Sequence, residues 1–419
     1  MTTLRPTMSA ADDVTKPRVL VAGGGIAGME ALLALADLLC EGANLTMAAP
    51  EPDFRYRPMA VDEPFSSTPY ERRQLAPAVA ELGATFVRAG LRAVHAGEHA
   101  AELDDGSRVE YAATIVCVGA RPEPAFANAV TFMVPGPQLD LGELLGRVRS
   151  TPPHRLAFVV PTGVAWSLPL YELALLTAKR VAEGAEPIEI VIVTPEEGPL
   201  AIFGPAASEA VATMLDSRGV SVRSGSHARE AGGAALELLP GRERLEASAI
   251  VALPVLRGPS IPGLPSDEQG FIPIDDHGRV TGLEGVYAAG DGANFPIKQG
   301  GIGTQQADAA AEAIAAGLGA DIEPRPFHPV LRGKLLIGEE TMSMRAEVTG
   351  GGGEGIVSSD HLWWPPFKVS GRYLTPWLAG VEGHPDPEPP TRSLEVEVAL
   401  PHEWHRDPIA LDPYRLIDG

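Results

Sequence analysis

Apolar residues fall along this chain in two alternating rhythms. Val19-Leu20-Val21-Ala22 is a short continuous run suited to a strand buried on both faces, whereas Met29-Glu30-Ala31-Leu32-Leu33-Ala34-Leu35-Ala36 suits a helix. The pattern predicts a strand at 18–22, a helix at 27–40 and a strand at 44–49. It repeats from Leu156 to Val160, through a helix near 169–183, to a strand from Ile188 to Thr194. The second strands of the two units end alike, in Ala49-Pro50-Glu51 and Thr194-Pro195-Glu196. Strands alternating with helices predict a doubly wound α/β protein. Between the units, Ala84-Thr85-Phe86-Val87 to Val116 alternates apolar and polar positions around an Asp104-Asp105-Gly106 turn, as antiparallel strands do. Thr114 to Ala120 is a buried strand ending in Gly119. After Pro259 a Pro/Gly-rich linker leads to Gly285-Val286-Tyr287-Ala288-Ala289-Gly290-Asp291, a strand running into a turn. Gly300-Gly301 then precede an alanine-rich helix from Thr304 to Ala316, Gly350–Gly353 predicts a loop, and the Pro/Glu-rich segment after Gly383 has few core formers.

Between the first strand and its helix lies Gly23-Gly24-Gly25-Ile26-Ala27-Gly28. Strand, glycine turn and helix in that order make a dinucleotide-binding element. The first glycine permits the tight turn, the second lets backbone approach a pyrophosphate, and the third lets helix and strand pack closely. The phosphates meet unpaired N–H groups at the positive end of the helix. The alternative is a structural turn.

Composition narrows the function. The chain has 419 residues, room for two or three domains, and a net charge of -22, with no basic stripe to displace counterions from nucleic acid. Two cysteines, Cys40 and Cys117, exclude a disulfide-stapled fold and suggest a reducing compartment. No stretch is long and apolar enough to span a bilayer, and the first residues lack the apolar core of a signal peptide, so a cytoplasmic protein is expected. No metal site is expected: His402-Glu403-Trp404-His405 lacks the helical i, i+4 spacing and further ligands.

Gly23-x-Gly25-x-x-Gly28, the strand-ending Gly119 and the distant Gly290-Asp291 form a spaced set. Together they resemble the two-dinucleotide-domain flavoproteins of the pyridine nucleotide–disulfide oxidoreductase superfamily. Phe54-Arg55-Tyr56-Arg57-Pro58 and Phe295-Pro296-Ile297-Lys298-Gln299-Gly300-Gly301 resemble the type II NADH dehydrogenases and sulfide:quinone reductases within it. The resemblance covers residues 17–330. It implies two Rossmann-like three-layer dinucleotide-binding domains plus a C-terminal interface region, and non-covalent FAD. Gly23, Gly25, Ile26, Ala27 and Gly28 would hold its pyrophosphate, Glu51 its adenosine ribose, and Asp291 its ribityl chain or phosphates. Arg57, Gly119, Gly290, Lys298 and Gly301 would complete the site. The implied layout is a tail at 1–16, an FAD-binding domain at 17–150 and 259–325, an NAD(P)-type Rossmann-like domain at 151–258, an aromatic-rich interface region at 326–380 and a tail at 381–419. Implied partners are a small electron donor such as NAD(P)H and an acceptor such as quinone, with peripheral membrane contact and a homodimer both compatible.

Reduced flavin carries negative charge on its pyrimidine edge, so fixed positive potential belongs there. Lys298, one of five lysines, stands beside a helix start and is the candidate catalytic residue; a plain solvated lysine is the other reading. No C-x-x-C or C-x-x-x-x-C pair is present, so electrons are expected to pass without a cysteine relay. The second unit departs from the glycine pattern. Where a pyridine-nucleotide loop needs glycines at 161, 163 and 166, it has Pro161, Gly163 and Trp166. Trp166 shields the flavin or fills core. The segment His361-Leu362-Trp363-Trp364-Pro365-Pro366-Phe367-Lys368, continuing to Trp377, is either an interfacial anchor or a packing or dimer surface. An FAD-dependent oxidoreductase is therefore expected; the alternative is a flavin-bound protein with lapsed catalysis serving as an interaction or scaffold subunit.

Overall fold

The computed structural model describes residues 16–66, 72–132, 139–184, 186–337, 346–347, 355–358, 367–380 and 393–399. The first unit runs β1 (Arg18–Ala22), α1 (Ile26–Leu39), β2 (Asn44–Ala48), β3 (Thr85–Val87) and β4 (Ala113–Val116). The second runs β5 (Val130–Thr131), β6 (Arg155–Val159), α2 (Leu168–Ala182), β7 (Glu189–Val193), β8 (Val220–Arg223) and β9 (Ala249–Ala252). The chain then returns to the first sheet with β10 (Val286–Ala288) and α3 (Gly300–Gly317). The two five-stranded sheets are ordered β10-β4-β1-β2-β3 and β5-β9-β6-β7-β8, every neighbouring pair parallel.

The strand period of two sorts side chains between faces. Val19 and Val21 of β1 join the core under α1 and α3, while Leu20 between them joins the core under an antiparallel meander that includes Ala101 and Leu103. The second sheet is built alike. Leu156 and Phe158 face the helices, and Ala157 and Val159 face a meander carrying Leu236, Leu238 and Leu245. Each sheet is thus the middle of three layers, in a Rossmann-like α/β arrangement. Each fully buried Val or Leu of these strands contributes about 1.5–3 kcal/mol, an upper bound from area.

Three expectations change. Thr85–Val87 is not antiparallel; it adds to β2 as the parallel edge of the first sheet. The alanine-rich helix starts at Gly300 rather than Thr304, because Gln299 caps it by accepting the Ile302 N–H at 2.9 Å, which places Gly300 and Gly301 in its first turn. Within the expected C-terminal tail, Ser393–Ala399 is a strand, β12, antiparallel to β11 (Val330–Leu336). Gly350–Gly353, His361–Pro366 and His402–His405 lie outside the described residues.

Candidate functional site

The ends of β1, β4 and β10 meet at one edge of the first sheet. Gly23 stands at φ +122°, and an added Cβ would sit 2.2 Å from the Cys117 carbonyl oxygen, so only glycine makes this turn. A Cβ at Gly28 would sit 1.9 Å from the Gly23 oxygen, the close helix–strand approach expected of the third glycine. Gly25 faces open space. The Gly23 N–H donates to Ala48 at 2.8 Å, tying the loop to the end of β2. The first rung of α1 is Met29 N–H on Gly25 at 2.9 Å, so the amides of Ile26, Ala27 and Gly28 precede the helix ladder. No side chain caps this terminus and no acid lies in its first turn. It is an anion site in form.

Gly290 locks the far side. Its N–H donates to Gln306 at 2.9 Å, and a Cβ there would touch Ala27 at 3.0 Å. Gly292 backs onto Gly119, whose carbonyl oxygen would lie 3.0 Å from an added Cβ. The first residue of α3, Gly300, packs so closely that a Cβ would meet Val369 at 2.8 Å and Ile26 at 3.1 Å. The N-termini of α1 and α3 therefore stand side by side. Beside them Val118 is the single large apolar residue exposed among those described, at 38%.

Charge gathers next to this edge. The half-buried Asp291 feels both Lys298 and Arg57, but burial dominates and pushes its carboxyl up. The Lys298 ammonium donates to the Ala293 carbonyl and lies 3.6 Å from the centroid of the Phe271 ring. Burial pushes it down to about 7, opposed by Asp291 and Asp267. It is an engaged, desolvated lysine rather than a solvated one. Glu51 is exposed three residues beyond the β2 end that binds Gly23, and Gly301 packs on the Gln299 amide. Cys40 is exposed at the end of α1, whereas Cys117 is buried under the glycine loop, where desolvation pushes its thiol up to about 12.

Several residues that the sequence patterns passed over hold the segment 367–380 against this site. It contains a short helix, α4 (Leu374–Ala379). Glu30 of α1 is wholly buried and accepts the Tyr373 and Leu374 N–H groups at 2.9 and 2.7 Å, capping α4. Arg73 donates to the Trp377 and Leu378 carbonyls at the other end, with its guanidinium 4.7 Å over the Trp377 ring. The Val369 N–H donates to the Tyr56 hydroxyl at 2.7 Å, and Phe54 meets Trp377 edge-on. Phe367, Tyr373 and Trp377 thus pack against the core.

Asp308 of α3 hydrogen-bonds Glu30, and burial together with that neighbour pushes Asp308 up to about 9. Arg372 opposes the rise and Glu312 adds to it. Burial raises both carboxyls, which favours a proton shared between them. Because the folded value exceeds the unfolded one, the proton's stabilisation is complete below the ordinary carboxyl range and is lost as pH rises towards about 9. Asp308→Asn, which keeps a donor to Glu30, is expected to flatten the fall in melting temperature between pH 6 and 9 by a few degrees; an unchanged slope in thermal scans refutes the shared proton.

The loop of the second unit is different in kind. Trp166 meets Phe203 edge-on at 5.9 Å and packs against the second unit's core, so it fills core. Glu172 of α2, wholly buried, pairs with Lys368 at 2.6 Å and accepts the Leu336 N–H at 2.8 Å, while Lys368 also donates to Pro58 at 3.0 Å.

Residues 170–317 match the family model described as pyridine nucleotide-disulphide oxidoreductase. The sulfide:quinone oxidoreductase of the hyperthermophilic bacterium Aquifex aeolicus superposes with a TM-score of 0.67 at 16% identity, over 96% of this chain and 90% of that one. The ferredoxin reductase for the CYP199A2 system of Rhodopseudomonas palustris gives 0.57 at 16% identity, over 81% and 88%. NDH2 of Plasmodium falciparum, solved with NADH, gives 0.53 at 15% identity, over 66% and 64%. No curated protein sequence matches the chain. Family match and fold both liken the chain to the pyridine nucleotide–disulphide oxidoreductases, the match over residues 170–317 and the fold over most of the chain. Its architecture is like those of the sulfide:quinone oxidoreductase and NDH2.

Proposed function

We propose that the chain binds FAD in its first unit and passes electrons through it from a small-molecule donor to a quinone or another small acceptor, without a cysteine relay. The observation that carries this reading is the convergence of the Gly23–Gly28 loop, Gly119 and Gly290-Asp291 at two adjacent helix N-termini. The donor set fits: the amides of Ile26 to Gly28 are free of the helix ladder, and open space lies in front of Gly25. Gly23, Gly25, Ile26, Ala27 and Gly28 would hold the pyrophosphate, Glu51 the ribose, and Asp291 the ribityl chain, with Arg57, Gly119, Gly290 and Gly301 lining the site. Bound flavin would supply reversible two-electron chemistry. The high Cys117 value and its burial support an inert thiol.

Lys298 would supply positive potential to the site. It carries its charge below about pH 7, so it would raise the flavin midpoint most in mild acid. Purified protein is expected to show flavin absorbance, and Lys298→Ala to lower the midpoint by about 30 mV, ~1.4 kcal/mol for two electrons. The difference should shrink by pH 8.5. A colourless protein overturns the cofactor; an unchanged potential overturns the lysine's role. Bound flavin that resists anaerobic titration with NADH, NADPH and sulfide favours an unusual substrate or the scaffold reading, which the altered second loop keeps open.

A further inference from the structure

The second sheet repeats the strand–loop–helix arrangement of the first, so the N-terminus of α2 is where a second dinucleotide would place its pyrophosphate. The chain has put a carboxylate of its own there. Glu196, just beyond β7, turns back towards α2. Its Oε1 accepts the hydroxyl of Ser167, the residue that begins the helix, at 3.0 Å. Its Oε2 accepts the Tyr171 hydroxyl at 2.7 Å and the Thr194 hydroxyl at 2.9 Å. Ser167, Tyr171 and Thr194 are all buried, and the Glu196 backbone is pinned by its own N–H on the Thr194 hydroxyl and by the Gly225 N–H on its carbonyl. Three hydroxyl donors on one carboxylate leave it well satisfied.

Two of the first three helical positions of α2 also offer a phosphate no free amide, and one loop amide is committed. Pro169 has no N–H, the Leu170 N–H is bonded to Ser167 at 2.9 Å, and the Val164 N–H closes the loop on Pro161 at 3.2 Å. At α1 the corresponding amides are free of the ladder, the loop is open at Gly25, and no acid intrudes. The two termini have the same place in their sheets and opposite electrostatics.

We propose that Glu196 is an internal surrogate for a bound pyrophosphate. The second unit is therefore closed to NAD(P)H, and the reductant is a molecule without a dinucleotide. This narrows the donor class of the proposed function and rests on the flavin site only for the destination of the electrons. Hydrogen exchange of the flavin-loaded protein tests it without using activity. NADH or NADPH at about 1 mM, enough to populate sites of micromolar affinity, is expected to protect neither 161–171 nor 194–198. Glu196→Gln, which keeps the shape and removes the charge, is expected to bind inorganic pyrophosphate at least about tenfold more tightly than the parent, read as protection of 161–171. Nucleotide protection of these peptides in the parent overturns the closure, and equal pyrophosphate binding by parent and variant overturns the surrogate role. Failure of the flavin proposal would show instead as missing absorbance.

Discussion

Gly25→Ala is expected to leave the fold intact and to strip the protein of flavin. Nothing lies within 4 Å of a Cβ at this position, and its φ of -85° suits alanine. The apoprotein should change in stability by less than about 1 kcal/mol, lost capping being offset by a less flexible unfolded chain. The methyl group would project into the space a pyrophosphate needs, so flavin retention should fall at least about tenfold, ~1.4 kcal/mol. Gly28→Ala is the contrast. Its Cβ would collide with the Gly23 carbonyl at 1.9 Å, so the helix must shift, at a cost of about 1–3 kcal/mol whether or not flavin is present. Urea unfolding of the apoproteins beside flavin equilibrium dialysis separates the two. Equal losses of stability and affinity in both variants would refute the division of roles.

Lys368→Met should be the most damaging single substitution in the C-terminal segment. It leaves the Glu172 carboxylate, with no exposed surface, facing the Pro58 carbonyl without its cation. Removing one partner of a buried pair costs about 3–5 kcal/mol, whereas replacing both by apolar groups is far milder. Glu172→Leu with Lys368→Met should therefore regain part of the loss. The recovery is incomplete because the Leu336 N–H then lacks its acceptor, at about 1–3 kcal/mol. Urea midpoints of the two single variants and the double variant give the coupling, and limited proteolysis near Ser370 reports whether the segment has left its seat. Additive single effects would deny the pair its role.

The glycine loop was legible in the sequence because its three glycines obey local sterics: a turn, an open face and a close approach each need a missing Cβ within a few residues. Thr85–Val87 was not, since three alternating residues cannot distinguish an antiparallel ribbon from a parallel edge; the long-range pairing with β2 settles it. Gly300 was placed ahead of the helix, yet it opens α3, because Gln299 supplies the cap and Val369 leaves room for nothing larger. The buried acids were the least visible. Glu30, Glu172 and Glu196 each look like an ordinary polar position in a helix or loop, and what holds the first two lies far along the chain at Tyr373 and Lys368. A carboxylate inside an otherwise apolar helix stretch, as at Glu30, is the one signal that was present.

The return of the chain to its first sheet has a consequence for the order of assembly. β10 pairs with β4, Val286 beside Thr114, and the whole second unit lies between them in sequence. A nascent chain that has reached residue 258 holds every strand of the second sheet but lacks one strand of the first and the Gly290 turn. Closing that long excursion carries the larger loop entropy and is expected to come late. The proposed cofactor site is then born last, on a scaffold already half built. A product truncated there would carry the second sheet complete and the first without its last strand and the Gly290 turn.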